Sequence, residues 1–514
     1  MVSGRCVWGR ARVAKRIVMI DNRSMSDPCP PDHPPSRPST AVEPGATVFR
    51  PEHAWTANGW LHRPALGVGP DGLWRAPTPL PGAATAGAAG SVAQLELPGW
   101  TLPGLCNGHS HAFQRAMAGL AERRGSRTDS FWTWRETMYR IAARFDPDLL
   151  HAVAAWLYAE MLEAGYTRVC EFHYLHHGAD GRPYADSAAM SLALIEAARE
   201  TGIGLTLLPV LYQRGGFDDR PLSERQRRFG HDLDGYLGLL DSLSGSVSES
   251  ATHAPGLRLG VAFHSLRAVP ESAIEAVLSA CAERDWPIHI HIAEQPAEVA
   301  ECLASTGARP IQRLHDRFAL DGRWTLVHAT HCDASERNAL AASGVTVALC
   351  PTTEANLGDG LFPLPEFTAA SGRWCIGSDS HVSVSPVEEL RWLEYGQRLR
   401  TGQRNLVTGP HSDSVGESLL AAALTGGAAA AGIAVSGLRP GDRADFVVLD
   451  PDSPGLIAAS PEDLIDRWLF SGNRPAVRET WVAARRRVAE GRHVERDRLF
   501  AAFRRAMRCL LSTG

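Results

Sequence analysis

The sequence predicts an α/β fold: a (β/α)8 barrel of the TIM type, with a small β-sandwich domain built from the segments on both sides of it. Three observations predict it. From about residue 103, apolar strand-like runs alternate with helix-like stretches, and eight such runs occur, the number a closed barrel needs. The segments 46–102 and 429–495 read instead as short strands broken by turns. Chemistry-bearing side chains end the apolar runs, which is where the strands of such a barrel deliver their loops to one mouth.

Residues 1–45 contain "DPCPPDHPPSRPSTAVEPG", whose prolines remove amide donors and oppose helix, so a disordered Pro-rich leader is expected there. Met19 and Met25 are alternative starts. Between 46 and 102, "ATVFRPEHAWTANGWLHRPALGVGPDGLW" reads as the first part of the β-sandwich. Gly67, Gly69 and Gly72 match GxGxxG, but Pro70, Asp71 and the following "LWRAPTPLP" deny it the helix a phosphate-binding turn must open. A β-turn is expected instead.

The barrel is expected over 103–428. Its strands read as "LCNGHSH", "RVCEFHYL", "GIGLTLLPVLY", "LRLGVAFHS", "WPIHIHIAE", "WTLVHAT", "VTVALCP" and "RWCIGSDSH". Between the first two, "FDPDLLHAVAAWLYAEMLEAGYT" predicts a helix that starts at Asp146 and Pro147 and stops at Gly165. Over 429–495, "GLRPGDRADFVVLD" and "VRETWVAARRRVAEGRHV" are expected to pair with the strands of 46–102. The final stretch, 496–514, predicts an amphipathic C-terminal helix.

Composition excludes several classes. The 52 basic residues are balanced by 57 acidic ones spread along the chain, giving a net charge of −5, so no nucleic-acid or anionic-membrane surface is expected. The ten cysteines form no CxxC pair or dense framework and read as reduced thiols of a cytoplasmic protein. No segment approaches the roughly 18 apolar residues of a membrane span. Lys15 is the single lysine of the chain.

His109 and His111 bracket one residue in an extended segment, so both imidazoles can face one ion while Ser110 turns away. His291 and Asp379 end two later strands. Three neutral imidazoles and one carboxylate make a borderline donor set, suited to zinc or another divalent transition ion with a position left for water. His289 also stands in a His-x-His, but His291 ends its strand and precedes Glu294 by three residues. His289 is therefore read as a supporting or core residue.

"LPGLCNGHSHAFQRAM", "EFHYLHH", "HSLRAV", "HIHIAEQ", "VHATH" and "GSDSH" resemble the amidohydrolase superfamily, and in order and spacing the formimidoylglutamate deiminase family within it. The likeness runs from about residue 47 to 490. It implies one Zn2+ per chain, with other divalent transition metals able to replace it, held by His109, His111, His291 and Asp379. The two-metal members commonly use a bridging barrel lysine, which this chain lacks, so a mononuclear site is implied.

Glu294, His328 and Asp379 are then the expected catalytic residues: Asp379 and His328 take or hold a water proton, and Glu294 delivers one to the leaving nitrogen. Gln114, Arg135, Tyr174, His264 and Arg267 match the family's substrate-binding positions. Two guanidiniums suit a small dicarboxylate substrate. The expected reaction converts N-formimino-L-glutamate to N-formyl-L-glutamate and ammonia in histidine degradation, and a homodimer is implied by the resemblance alone. The rivals are a mononuclear deaminase of cyclic amidines of purine or pterin type and a catalytically silent binding barrel. "CPTTEANLGDG" is expected to shape the pocket rim without chemistry, and "DGRPY" to form a turn.

Overall fold

The computed structural model describes residues 47–76, 93–123, 131–250, 256–409, 412–434 and 437–512. The expected leader lies outside them.

Short, mainly apolar runs buried over most of their length fit a strand covered on both faces. Eight such strands form the parallel barrel: Leu105–Ser110, Tyr166–His173, Gly204–Leu211, Leu257–Leu259 continued as Val261–Phe263, Ile288–Ile292, Trp324–His328, Thr346–Leu349 and Arg373–Ile376. The fourth is interrupted at Gly260, where a Cβ would stand 2.6 Å from a Leu208 methyl and 2.7 Å from the Pro287 carbonyl. The first and last strands meet through a parallel bridge between Ser110 and Asp379. There the Asp379 amide donates to the His109 carbonyl at 3.0 Å and the His111 amide to the Asp379 carbonyl at 3.3 Å.

Helices fill the connections as patterned. Pro147–Ala164 starts with the Asp146 side chain accepting from the Leu149 amide at 2.8 Å and stops at Gly165, whose φ of 108° is left-handed. Val415–Ala430 lies against the first and last strands. Its Gly426 makes that approach possible, since a Cβ there would fall 1.8 Å from the Trp374 carbonyl oxygen.

Strands from both flanks join one eight-stranded sheet. Thr47–Thr56, Gly59–His62, Leu66–Val68 and Ala93–Pro103 come from before the barrel, and Phe446–Leu449, Val477–Val482, Arg485–Ala489 and Arg492–His493 from after it. Ala93–Pro103 pairs with Phe446–Leu449 and so stitches the two flanks together. A separate small core of Phe49, Trp74, Phe446 and Trp481 packs ring against ring, with Phe49 centred 5.1 Å from both Phe446 and Trp481. Gly67–Gly72 forms a tight turn closed by Gly72 N–H to Gly69 C=O at 3.0 Å, with no helix after it. "DGRPY" likewise turns, the Gly178 amide donating to the Arg182 carbonyl at 2.9 Å.

The terminal helix Arg496–Leu511 packs Phe500 and Phe503 on Trp156 of Pro147–Ala164. Among the described residues no helix is long and apolar enough to cross a membrane. Cys106 and Cys170, 3.9 Å apart at sulfur, are both free thiols.

Candidate active site

The barrel seam brings the donor set together. His109 Nε2 stands 3.1 Å from His111 Nε2 and 3.1 Å from His291 Nε2, and Asp379 Oδ1 lies 3.5 Å from His109 Nε2 and 3.3 Å from His111 Nε2. Ligands about 2.1 Å from one tetrahedral ion stand roughly 3.4 Å from one another, so these spacings suit a shared cation. The tautomers agree. His111 Nδ1 donates to the Phe172 carbonyl at 2.8 Å and His291 Nδ1 to the His264 carbonyl at 3.0 Å, because a carbonyl can only accept. Both Nε2 lone pairs therefore aim at the common point.

Burial, and for His109 and His291 the neighbouring histidines, hold these imidazoles below the ordinary histidine range. Burial also lowers His111, against the pull of Asp379. Neutral imidazoles at this spacing offer lone pairs to a cation and little to one another.

Ser110 does turn away. Its hydroxyl donates to Glu171 Oε2 at 2.7 Å, while Glu171 Oε1 accepts from the Ala112 amide at 2.6 Å, so one buried carboxylate braces the His-x-His segment. Burial outweighs these hydrogen bonds and pushes Glu171 up to about 7. His289 shares a face of its strand with His291 but sits one layer deeper, where Nε2 donates to the Ala430 carbonyl at 2.8 Å. It is a core residue.

His328 ends the sixth strand and is buried. Its Nε2 lies 3.8 Å from Glu294 Oε1 and 4.0 Å from Asp379 Oδ2, and its Nδ1 lies 3.2 Å from Glu354 Oε1. Burial alone would lower its pKa, but the surrounding carboxylates outweigh it and hold His328 up at about 10. Burial raises Glu294, with Asp379 and Glu354 adding to it, so Glu294 keeps a proton closer to neutrality than an exposed glutamate does. Left-handed backbone gathers at this mouth: Ala293 at φ 50°, His328 at 68°, Ala329 at 49°, Asp379 at 45° and His381 at 60°. Each such non-glycine residue costs on the order of 1–3 kcal/mol and turns a side chain off its strand.

One pocket opens above the cluster. It is lined by His111, Gln114, Arg135, Tyr174, His264, Arg267, His291, Glu294, His328 and Asp379, with Trp134, Met138 and Leu357 between them. Every residue expected from the sequence is thus at one place, His109 lying fully buried beneath the others. Gln114 donates from Nε2 to the Tyr174 hydroxyl at 2.9 Å, leaving its buried Oε1 without a partner among the described residues. Arg135, on the helix Phe131–Ala142, donates to the Tyr212 hydroxyl at 3.3 Å and stacks over the Tyr139 ring. Arg267 is half-buried and makes no hydrogen bond or ion pair among the described residues. Burial first, then Arg267 and Arg135, keeps His264 neutral.

Two features escaped the sequence. Glu171 was signalled by a lone acid inside the apolar run "RVCEFHYL". Glu354 sits in the segment expected to carry no chemistry, and nothing in its spacing marks it. Trp134, among the aromatics of "FWTWRETMYR", lines the pocket beside Arg135.

The amidohydrolase family profile matches residues 100–487, and the chain belongs to that family. It is 50% identical to a formimidoylglutamate deiminase from Pseudomonas aeruginosa over 452 residues, which cover 88% of this chain and 97% of that protein. The crystal structure of an amidohydrolase from Brucella melitensis matches with a TM-score of 0.84 at 41% identity, covering 91% of this chain and all of that one. An adenosine deaminase from Xanthomonas campestris with bound zinc matches with a TM-score of 0.72 at 21% identity, over 91% of this chain and 99% of that one, a likeness of fold alone. The family is one of divalent-metal enzymes, and His109, His111 and His291 form a donor group that could hold such an ion, with Asp379 in a second group beside it.

Proposed function

We propose that the chain is a formimidoylglutamate deiminase, hydrolysing N-formimino-L-glutamate to N-formyl-L-glutamate and ammonia in histidine degradation. The observation that carries this reading is two guanidiniums, Arg135 and Arg267, lining the pocket that also holds the histidine and carboxylate donors, with Arg267 half-buried and without a hydrogen bond or ion pair among the described residues. The 50% identity to a protein of that name supports it. We place the catalytic barrel at 103–428 and the flanking sheet domain at 46–102 and 429–495, in a cytoplasmic homodimer.

His109, His111, His291 and Asp379 would hold one ion, zinc by its fit to three imidazoles and a carboxylate. Such an ion, when bound, lowers the pKa of a water molecule toward neutrality and so supplies the nucleophile. The protein's own groups do the rest. Arg135 and Arg267 pair with the two carboxylates of the substrate and fix its length across the pocket. Gln114 Oε1, lacking a donor, accepts from a substrate N–H, and Tyr174 and His264 close the wall. As attack on the amidine carbon proceeds, Asp379 accepts the water's proton, and His328 Nε2 holds the water by hydrogen bonding. Glu294, whose carboxyl burial pushes above the ordinary glutamate range, gives a proton to the departing nitrogen. Collapse of the tetrahedral carbon releases ammonia and leaves the formamide.

A cyclic amidine would bring no carboxylates for the two guanidiniums to bind. Ammonia release measured against N-formimino-L-glutamate and an adenosine-type substrate separates the two readings. Turnover of the linear substrate alone is expected, and turnover of the nucleoside alone would sink the proposal.

A further inference from the structure

We propose that Glu354 is a positioning residue for this reaction: its carboxylate fixes the Nδ1–H tautomer of His328, so that Nε2 faces Glu294 and Asp379. The turnover arm of the test rests on the functional reading above.

The geometry supports this from several sides. Glu354 and His328 are both buried, with Oε1 to Nδ1 at 3.2 Å, and His328 is the one ion-pair partner of Glu354 among the described residues. The same Oε1 accepts from the Cys350 amide at 2.9 Å, so the carboxylate is pinned to the start of its own helix, Pro351–Leu357, and does not swing. His328 is also constrained from its own side. Its φ of 68° and the 49° of Ala329 turn the ring off the strand, with the Ala329 amide tied to the Ile292 carbonyl at 3.1 Å.

A carboxylate can only accept, so the Nδ1 atom opposite it must carry hydrogen. That leaves Nε2, 3.8 Å from Glu294 and 4.0 Å from Asp379, as the nitrogen that faces the pocket. An amide at position 354 could rotate and donate to Nδ1 instead, which would demand a lone pair on Nδ1 and strip it of hydrogen. Glu354 touches no pocket space itself and acts through His328.

The test uses the full-length metal-replete protein and its Glu354→Gln, Glu354→Asp, His328→Gln and Glu354→Gln/His328→Gln variants. Ammonia release from N-formimino-L-glutamate gives kcat and KM, and long-range proton–nitrogen NMR of labelled histidine gives the His328 tautomer. Glu354→Gln is expected to lose about 10- to 100-fold in kcat, with KM and metal content unchanged. Glu354→Asp should recover part of that loss, and the loss should vanish in the His328→Gln background. The wild-type spectrum should show hydrogen on Nδ1, lost from that nitrogen in Glu354→Gln. Wild-type kcat in Glu354→Gln, an equal loss with and without His328, or Nδ1 without hydrogen in the wild type each overturn the proposal. Absence of ammonia release from every form would count against the functional reading, while the tautomer would still decide the role of Glu354.

Discussion

Ser110 and Asp379 are bridged as neighbouring parallel β-residues across the seam that closes the barrel. This one pairing sets the register of the site, because it places His109 and His111, on either side of Ser110, against the carboxylate of Asp379 at 3.3–3.5 Å. Asp379→Asn keeps the shape of the seam but removes the anionic donor. Metal analysis should find that variant largely empty after dialysis while the wild type retains its ion. Chelation should lower the melting temperature of the wild type and leave the variant nearly unmoved, since an ion held by the folded state alone stabilises it by mass action. Full metal retention by Asp379→Asn would remove Asp379 from the ligand set.

Glu171 braces the same segment through the Ser110 hydroxyl and the Ala112 amide. Glu171→Ala removes the acceptor of the buried Ala112 amide and leaves the Ser110 hydroxyl only the His381 ring at 3.3 Å. Competitive chelator titration should show metal affinity weakened about 10- to 100-fold, the usual cost of removing the support behind a ligand. Unchanged affinity would mean that the His-x-His geometry is set by the strand alone.

Arg267 makes no hydrogen bond or ion pair among the described residues, so its removal costs the folded state little and the substrate much. Arg267→Ala should raise KM for the dicarboxylate by about 10- to 100-fold, the worth of a charge-assisted hydrogen-bond pair, with metal content and melting temperature preserved. Arg135→Ala should act in the same direction but also loosen Tyr139 and Tyr212, which it contacts. Wild-type kinetics in both variants would contradict the dicarboxylate pocket.

The charge on His328 has a stability signature. Its folded pKa of about 10 exceeds the ordinary histidine value of 6.5, held up against burial by Glu294, Glu354 and Asp379. A cation with a raised folded pKa contributes its stability in full below pH 6.5 and loses it as pH climbs through 10. Urea melts of the metal-free protein should therefore show stability declining from pH 7 to 10, with a shallower decline in His328→Gln. An equal slope in both would mean that His328 is not cationic in the metal-free fold.

Much of this site was legible in the chain because barrel chemistry concentrates at strand ends. His109, His111, His291, His328 and Asp379 each terminate an apolar run, so local pattern and function coincide. Arg135 and Arg267 carried no such signal, lying on a helix and a loop, and were readable only through family resemblance. Glu354 was invisible for a physical reason. It follows a strand end by five residues, on a short helix whose acid reads as an ordinary first-turn residue, and its partner is 26 residues away in sequence. His289 was ambiguous because a strand puts i and i+2 on one face, and only the depth of the layer separates a ligand from a core histidine. The Ser110–Asp379 closure was unreadable too, being a pairing 269 residues apart that depends on the whole barrel's curvature.

The most direct test is ammonia released from N-formimino-L-glutamate by one preparation in three states: as purified, stripped of metal, and reconstituted with zinc. Turnover that falls away on stripping and returns with about one ion per chain is the predicted result. Full turnover by the stripped protein, or none by the reconstituted one, would contradict the assignment of the His109, His111, His291 and Asp379 cluster as the centre of a deiminase.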